Sequence, residues 1–100
     1  MARVRLKIPP TIAPMLNAHV SDWLILDKDI GEGATISDLL TGLALNYPDF
    51  RKVVFNPDTG KINDQVDVVL NDTLLPLSRV TETRINDGDT IILLLVYSGG

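Results

Sequence analysis

Thr90-Ile91-Ile92-Leu93-Leu94-Leu95-Val96-Tyr97 is the stretch that decides the fold. It follows the turn sequence Asn86-Asp87-Gly88-Asp89 and is apolar at both alternating sets of positions. A strand that buries both its faces belongs in the middle of a sheet, with a neighbour on each edge. Its partners must therefore lie earlier in the chain. The first is Arg3 to Ile8, where Val4, Leu6 and Ile8 alternate with Arg3, Arg5 and Lys7. Period two with charge on one side marks a half-buried strand. Pro9 and Pro10 end it, because proline supplies no ladder N–H.

Trp23 to Asp27 reads as a second strand, joined to the first as a long-looped hairpin, with Thr11 to Ser21 a loop holding at most one short turn. One convincing helix follows. Thr35 is its N-cap, and Asp38 closes a capping box with the shorter acid. Ile36, Leu39, Leu40, Leu43 and Tyr47 recur at helical spacing, and Pro48 stops the helix. Asn56 to Gln65 is a polar loop around the turn Asn56-Pro57-Asp58-Thr59-Gly60. Val66 to Leu70 is a third strand, with Asp67 and Val69 on the face opposite Val66, Val68 and Leu70. Asn71-Asp72 turns into a short Thr73-Leu74-Leu75 piece. A single helix must bury its stripe on the sheet. Setting the final strand beside the first yields an α+β protein, a mixed sheet of four to five strands wrapped on one main helix. This is a β-grasp (ubiquitin-like) arrangement, a single domain over residues 1–96 with a flexible tail at 97–100.

The chain has 100 residues and a net charge of -4. That balance argues against nucleic acid, which demands a basic face, and suits a partner with a positive surface. No cysteine is present, so a disulfide, a thiolate metal site and a cysteine nucleophile are all excluded. No apolar run approaches the about 20 residues of a membrane helix, and no signal core follows the N-terminus. A cytoplasmic location without membrane attachment is expected.

The β-grasp order, Asn71-Asp72-Thr73-Leu74, Asp87-Gly88-Asp89-Thr90 and the final Gly99-Gly100 together resemble the ThiS/MoaD ubiquitin-like sulfur carriers. The resemblance covers nearly the whole chain. It implies a protein cosubstrate, not an enzyme by itself, or else the non-catalytic small subunit of a molybdopterin synthase. An E1-like adenylating enzyme, using ATP and magnesium, would join the Gly100 carboxylate to AMP. Sulfur would then convert it to a thiocarboxylate for a sulfur-acceptor enzyme or a synthase large subunit. Gly99, with Ser98 before it, suits threading into a narrow partner channel, since glycine brings no side chain. Many molybdopterin-synthase small subunits carry a Pro-Pro pair where this chain has Val96-Tyr97-Ser98. Ile8-Pro9-Pro10-Thr11-Ile12 and the loop around Gly60 look more like carriers that feed cysteine biosynthesis; the thiamin type is the third of the class.

The final strand carries more apolar residues than one helix can cover. Either Ile91, Leu93 and Leu95 or Ile92, Leu94 and Val96 must line the open face, with Arg3, Arg5, Lys7 and Asp67 beside them. Counting back from the glycines, the resemblance implies that Leu94 points outward with Leu74 nearby. Leu74, Ile92, Leu94 and Val96 are thus the expected partner-binding surface. Ordinary burial under a loop or in a dimer is the alternative.

Other residues promise little chemistry. His19 lacks a nucleophile or metal ligand at useful spacing, and Asp27, Asp29 and Glu32 read as a solvated acidic cluster on a loop. Trp23 is expected in the core or against the first loop. No catalytic residue, bound cofactor or metal site is expected. Two further functions compete with sulfur carriage: a ubiquitin-like modifier conjugated to lysines through Gly100, and a plain β-grasp interaction module.

Overall fold

The computed structural model describes residues 2–96. Strand β1 (Ala2–Ile8) buries Ala2, Val4, Leu6 and Ile8 on one face and sends Arg3, Arg5 and Lys7 to the other. At its end, the Pro9 carbonyl accepts from the N–H groups of Ile12 and Ala13. These bonds turn the chain into a 3-10 helix (Ala13–Leu16), which Asn17 ends at φ 58°. The short turn expected between Thr11 and Ser21 is this one, and it buries Ile12, Ala13 and Leu16.

Strand β2 (Leu24–Ile30) runs antiparallel to β1 over seven residue pairs, from Ile8↔Leu24 to Ala2↔Ile30. It starts one residue later and ends three residues later than expected. The charged run Asp27-Lys28-Asp29 resembles a loop in composition, but its two carboxylates stand opposite Arg5 and Arg3. Trp23 lies just outside the strand and is 42% exposed, so it is not a core residue.

Helix α1 (Ile36–Asn46) has the full capping box. The Thr35 N–H donates to Asp38 Oδ2 at 2.9 Å, and the Asp38 N–H donates to Thr35 Oγ1 at 3.2 Å. Ile36, Leu39, Leu40, Leu43 and Ala44 are buried against the sheet, while Tyr47, its C-cap, is half-buried. Pro48 ends this helix and opens another, α2 (Pro48–Val53), a position where its missing N–H costs nothing. Phe50 of α2 is fully buried, which makes this unexpected second helix part of the core.

The segment expected as a polar loop contains a two-stranded ribbon, β3 (Phe55–Asn56) with β4 (Lys61–Ile62). Strand β5 (Val66–Leu70) and β6 (Thr73–Leu75) form a hairpin through Asn71 and Asp72, both at positive φ. A one-turn helix, α3 (Leu77–Val80), follows Pro76 and buries Val80. Strand β7 (Thr90–Leu95) then pairs parallel with β1 and antiparallel with β5. The sheet order is β2-β1-β7-β5-β6, so β7 is central as its composition requires. Tyr97, expected at the end of this strand, lies outside the described residues.

A mixed five-stranded sheet wrapped on α1 is the β-grasp fold. Its core gathers Leu6, Ile8, Ile36, Leu40, Phe50, Phe55, Ile91 and Leu93 between sheet and helices. No described helix is long and apolar enough to cross a membrane.

Candidate functional site

The parity of β7 settles which of its apolar sets is inside. Ile91 pairs with the buried Leu6, and Leu93 pairs with the buried Val68, so Ile91, Leu93 and Leu95 face α1. Ile92 and Leu94, half-buried, share the opposite face. Val96 follows in the same alternation beyond the strand and is 46% exposed. Its N–H donates to the Gln65 carbonyl at 2.6 Å, which continues the pairing with the β5 side.

Register then assembles a row across all five strands. Leu74 lies opposite Val69, Val69 opposite Ile92, Ile92 opposite Lys7, and Lys7 opposite Ile25. Leu74 and Ile25 at the two ends are 59% and 51% exposed. Leu94, one step along β7, is flanked by Asp67. The result is an apolar stripe that includes Leu74, Ile92 and Leu94 and ends toward Val96.

Charge bounds the stripe on the β1–β2 side. Arg5 Nε donates to Asp27 Oδ1 at 3.0 Å, and Arg3 Nε lies 3.5 Å from Asp29 Oδ1. The hydrogen bond from Arg5 holds the Asp27 carboxyl below the usual carboxylate range, and the same bond raises the Arg5 guanidinium. Asp29, expected on a loop, thus lies in β2 together with Asp27, and both carboxylates stand in ion pairs rather than in a solvated cluster. Ile25 was missing from the expected surface, although its parity with Asp27 places it there.

The other landmarks are structural. Asn71 Nδ2 donates to Asp89 Oδ1 at 2.8 Å, and the Thr90 N–H donates to Asn71 Oδ1 at 2.9 Å. Asp87 Oδ1 accepts from the Arg3 N–H at 2.7 Å. The two motifs thus join the β5–β6 turn and the start of β1 to the turn that launches β7. His19 is exposed. Among the described residues, no group of three His, Cys, Asp or Glu is placed to hold a metal ion. Ser98, Gly99 and Gly100 lie outside the described residues.

The ThiS family profile matches residues 15–100. The chain belongs to the ThiS family. Solved structures agree in fold. SAMP1 from Haloferax volcanii is 23% identical with a TM-score of 0.73, covering 99% of this chain and 100% of that one. The small archaeal modifier protein 1 from Methanosarcina acetivorans is 25% identical with a TM-score of 0.69, covering 100% and 98%. CysO from Mycobacterium tuberculosis is 22% identical with a TM-score of 0.67, covering 94% and 99%. No curated protein matches the sequence.

Proposed function

We propose that this ThiS-family protein carries sulfur as a thiocarboxylate on Gly100. The observation behind the proposal is a family match that runs through Gly100, in a chain whose last described strand is seated in the middle of the sheet. A C-terminal carboxylate is ionised at neutral pH and so can act as a nucleophile. In an activating enzyme's site its oxygen attacks the α-phosphate of ATP, with magnesium, and pyrophosphate leaves. A sulfide nucleophile then attacks the acyl carbon of the adenylate, AMP departs, and the thiocarboxylate remains. Ser98 and Gly99 thread the channel, and Leu74, Ile92, Leu94 and Val96 dock the activating enzyme and then the acceptor. The catalytic groups in this scheme belong to those partners. Pro9-Pro10 and the loop around Gly60 favour an acceptor of the cysteine-forming type over a molybdopterin synthase large subunit.

Conjugation is the second reading, favoured by the likeness to a protein titled as a small archaeal modifier. Here a lysine amine attacks the acyl carbon of the Gly100 adenylate, AMP departs, and an isopeptide bond forms at Gly100.

Mass spectrometry after incubation with ATP, magnesium, sulfide and the host's activating enzyme separates the two. A thiol-reactive trap has no cysteine to compete for it in this chain. Label localised to Gly100 establishes sulfur carriage. An unlabelled terminus with an enzyme active on another substrate rejects it, and Gly100-to-lysine linkages establish the modifier.

A further inference from the structure

The two edges of the sheet differ. On one side lies β6, three residues long and followed by Pro76, a short edge that offers little to a partner. On the other lies β2, seven residues long, with no proline and an unbroken register against β1. The backbone of β1 shows which groups of β2 are free. The Arg5 N–H donates to the Asp89 carbonyl, and the Arg3 carbonyl accepts from Gly88, so both residues direct their main-chain groups toward β7 and its turn. Residues opposite each other in an antiparallel pair either exchange both bonds or neither. Asp27 and Asp29, opposite Arg5 and Arg3, therefore point their N–H and C=O groups away from β1, and Ile25 follows by alternation. None of the three receives a backbone partner there among the described residues.

Side chains along this edge supply a second level of recognition. On the open face, Ile25, Asp27 and Asp29 follow one another, and Ile25, like Trp23 just before the strand, is an exposed large apolar residue. On the opposite face, a groove of about 240 Å³ separates β2 from α1, with Leu39, Gly42, Leu43 and Tyr47 on the helix side and Lys28 and Ile30 on the strand side. Gly42 lines this groove, and a Cβ there would meet nothing within 4 Å, so a larger side chain has room at this position.

We propose that β2 accepts an extended segment of a partner protein as a sixth strand, one whose residues alternate between basic and apolar. Main-chain bonds to Ile25, Asp27 and Asp29 supply the affinity, as in other strand additions. Basic side chains lie beside Asp27 and Asp29, while the intervening apolar ones enter the groove over Gly42. The chain already contains this pattern of complementarity: β1 places Arg5 opposite Asp27 and Arg3 opposite Asp29, with Val4 and Leu6 turned inward. The free edge presents the same carboxylates from its other side. Pairing of β2 with a second copy in the register centred on Lys28 would set Asp27 against Asp29, a like-charge clash that a basic partner strand avoids.

A synthetic peptide copying β1, Ala-Arg-Val-Arg-Leu-Lys-Ile, is the probe, with a control in which Glu replaces Arg and Lys. In the intact protein, the amide signals of Ile25, Asp27 and Asp29 are expected to shift on titration, and their hydrogen exchange to slow at least tenfold. The acidic control is expected to bind at least tenfold more weakly. Gly42→Leu fills the groove while raising helix propensity, and is expected to weaken the basic peptide about tenfold. A joint Asp27→Asn and Asp29→Asn variant should erase the preference between peptides. Shifts confined to other residues, equal binding of both peptides or no binding at millimolar concentration overturns the proposal. So does a free protein that sediments as a dimer with those three amides already protected. The readout involves neither ATP nor Gly100, so failure here and failure of sulfur carriage are separate results.

Discussion

Asn71 and Asp89, eighteen residues apart, join the two turns that frame β7. Asn71 Nδ2 donates to Asp89 Oδ1, and Asn71 Oδ1 accepts from the N–H of Thr90, the first residue of the strand. Asn71 does this at φ 49°, a conformation that asparagine tolerates better than most residues. Asn71→Ala loses both side-chain bonds and leaves a Cβ residue in the left-handed region. The expected cost is about 2 kcal/mol, from about 1 kcal/mol of hydrogen bonding and about 1 kcal/mol of backbone strain. Asn71→Gly should cost about half as much. Urea denaturation of both variants checks the partition.

Thr35 closes the capping box of α1 with Asp38. Thr35→Ala should destabilise by about 1 kcal/mol. An unchanged urea midpoint would show that the cap is energetically idle.

The hydrogen bond from Arg5 holds Asp27 below the ordinary carboxylate range, against the opposing effect of desolvation. A carboxylate whose folded pKa is depressed contributes stability that is fully present above its unfolded value, about 3.9. That contribution is lost as pH falls through the lower folded value. The stability difference between the native protein and Asp27→Asn should therefore shrink below about pH 4, and added salt should reduce it at neutral pH. Denaturation curves across pH, with an NMR titration of the Asp27 carboxyl, test both statements.

The two faces of β7 should respond oppositely to substitution. Leu93 is fully buried, so Leu93→Ala should cost about 2–5 kcal/mol. Leu74, at the end of the open-face row, is mostly exposed, and Leu74→Arg should change stability by less than about 0.5 kcal/mol. The same variant should weaken docking to the activating enzyme, because it sets a charge in an apolar stripe. Leu94→Arg should act likewise on docking. Loss of the fold in Leu74→Arg, or unchanged activation kinetics in both, would remove the stripe from the docking surface.

Deleting Gly100 should abolish adenylation by the activating enzyme. Pyrophosphate release measured against the full-length chain gives the answer, and retained release by the deletion variant would contradict the role assigned to the terminal carboxylate.

Several elements were legible because a short-range signal agreed with the tertiary environment. The alternation in Val4-Arg5-Leu6-Lys7-Ile8, the Thr35–Asp38 cap with its helical stripe, and the doubly apolar run Ile91 to Leu95 all appear where expected. Helix α2 is hidden in the sequence because Pro48 is a stop signal for the helix before it and at the same time occupies the first turn of the next. Strand β2 was shortened because Asp27-Lys28-Asp29 carries little β-propensity. Its extension depends on Arg5 and Arg3, more than twenty residues away. Trp23, expected in the core or against the first loop, lies just outside β2 and is partly exposed, which removes the core alternative.

By itself the sequence determined the class of fold and the central place of the last strand, since periodicity, capping and turn chemistry act over a few residues. It also established that one set of β7 side chains must lie off the helix. Which set that is, and that Leu74, Val69, Ile92, Lys7 and Ile25 form one row, depended on the register between strands distant in the chain. Only the tertiary structure decided this. A shift of one residue in any pairing would turn every side chain of that strand to the other face, and no local pattern encodes the pairing.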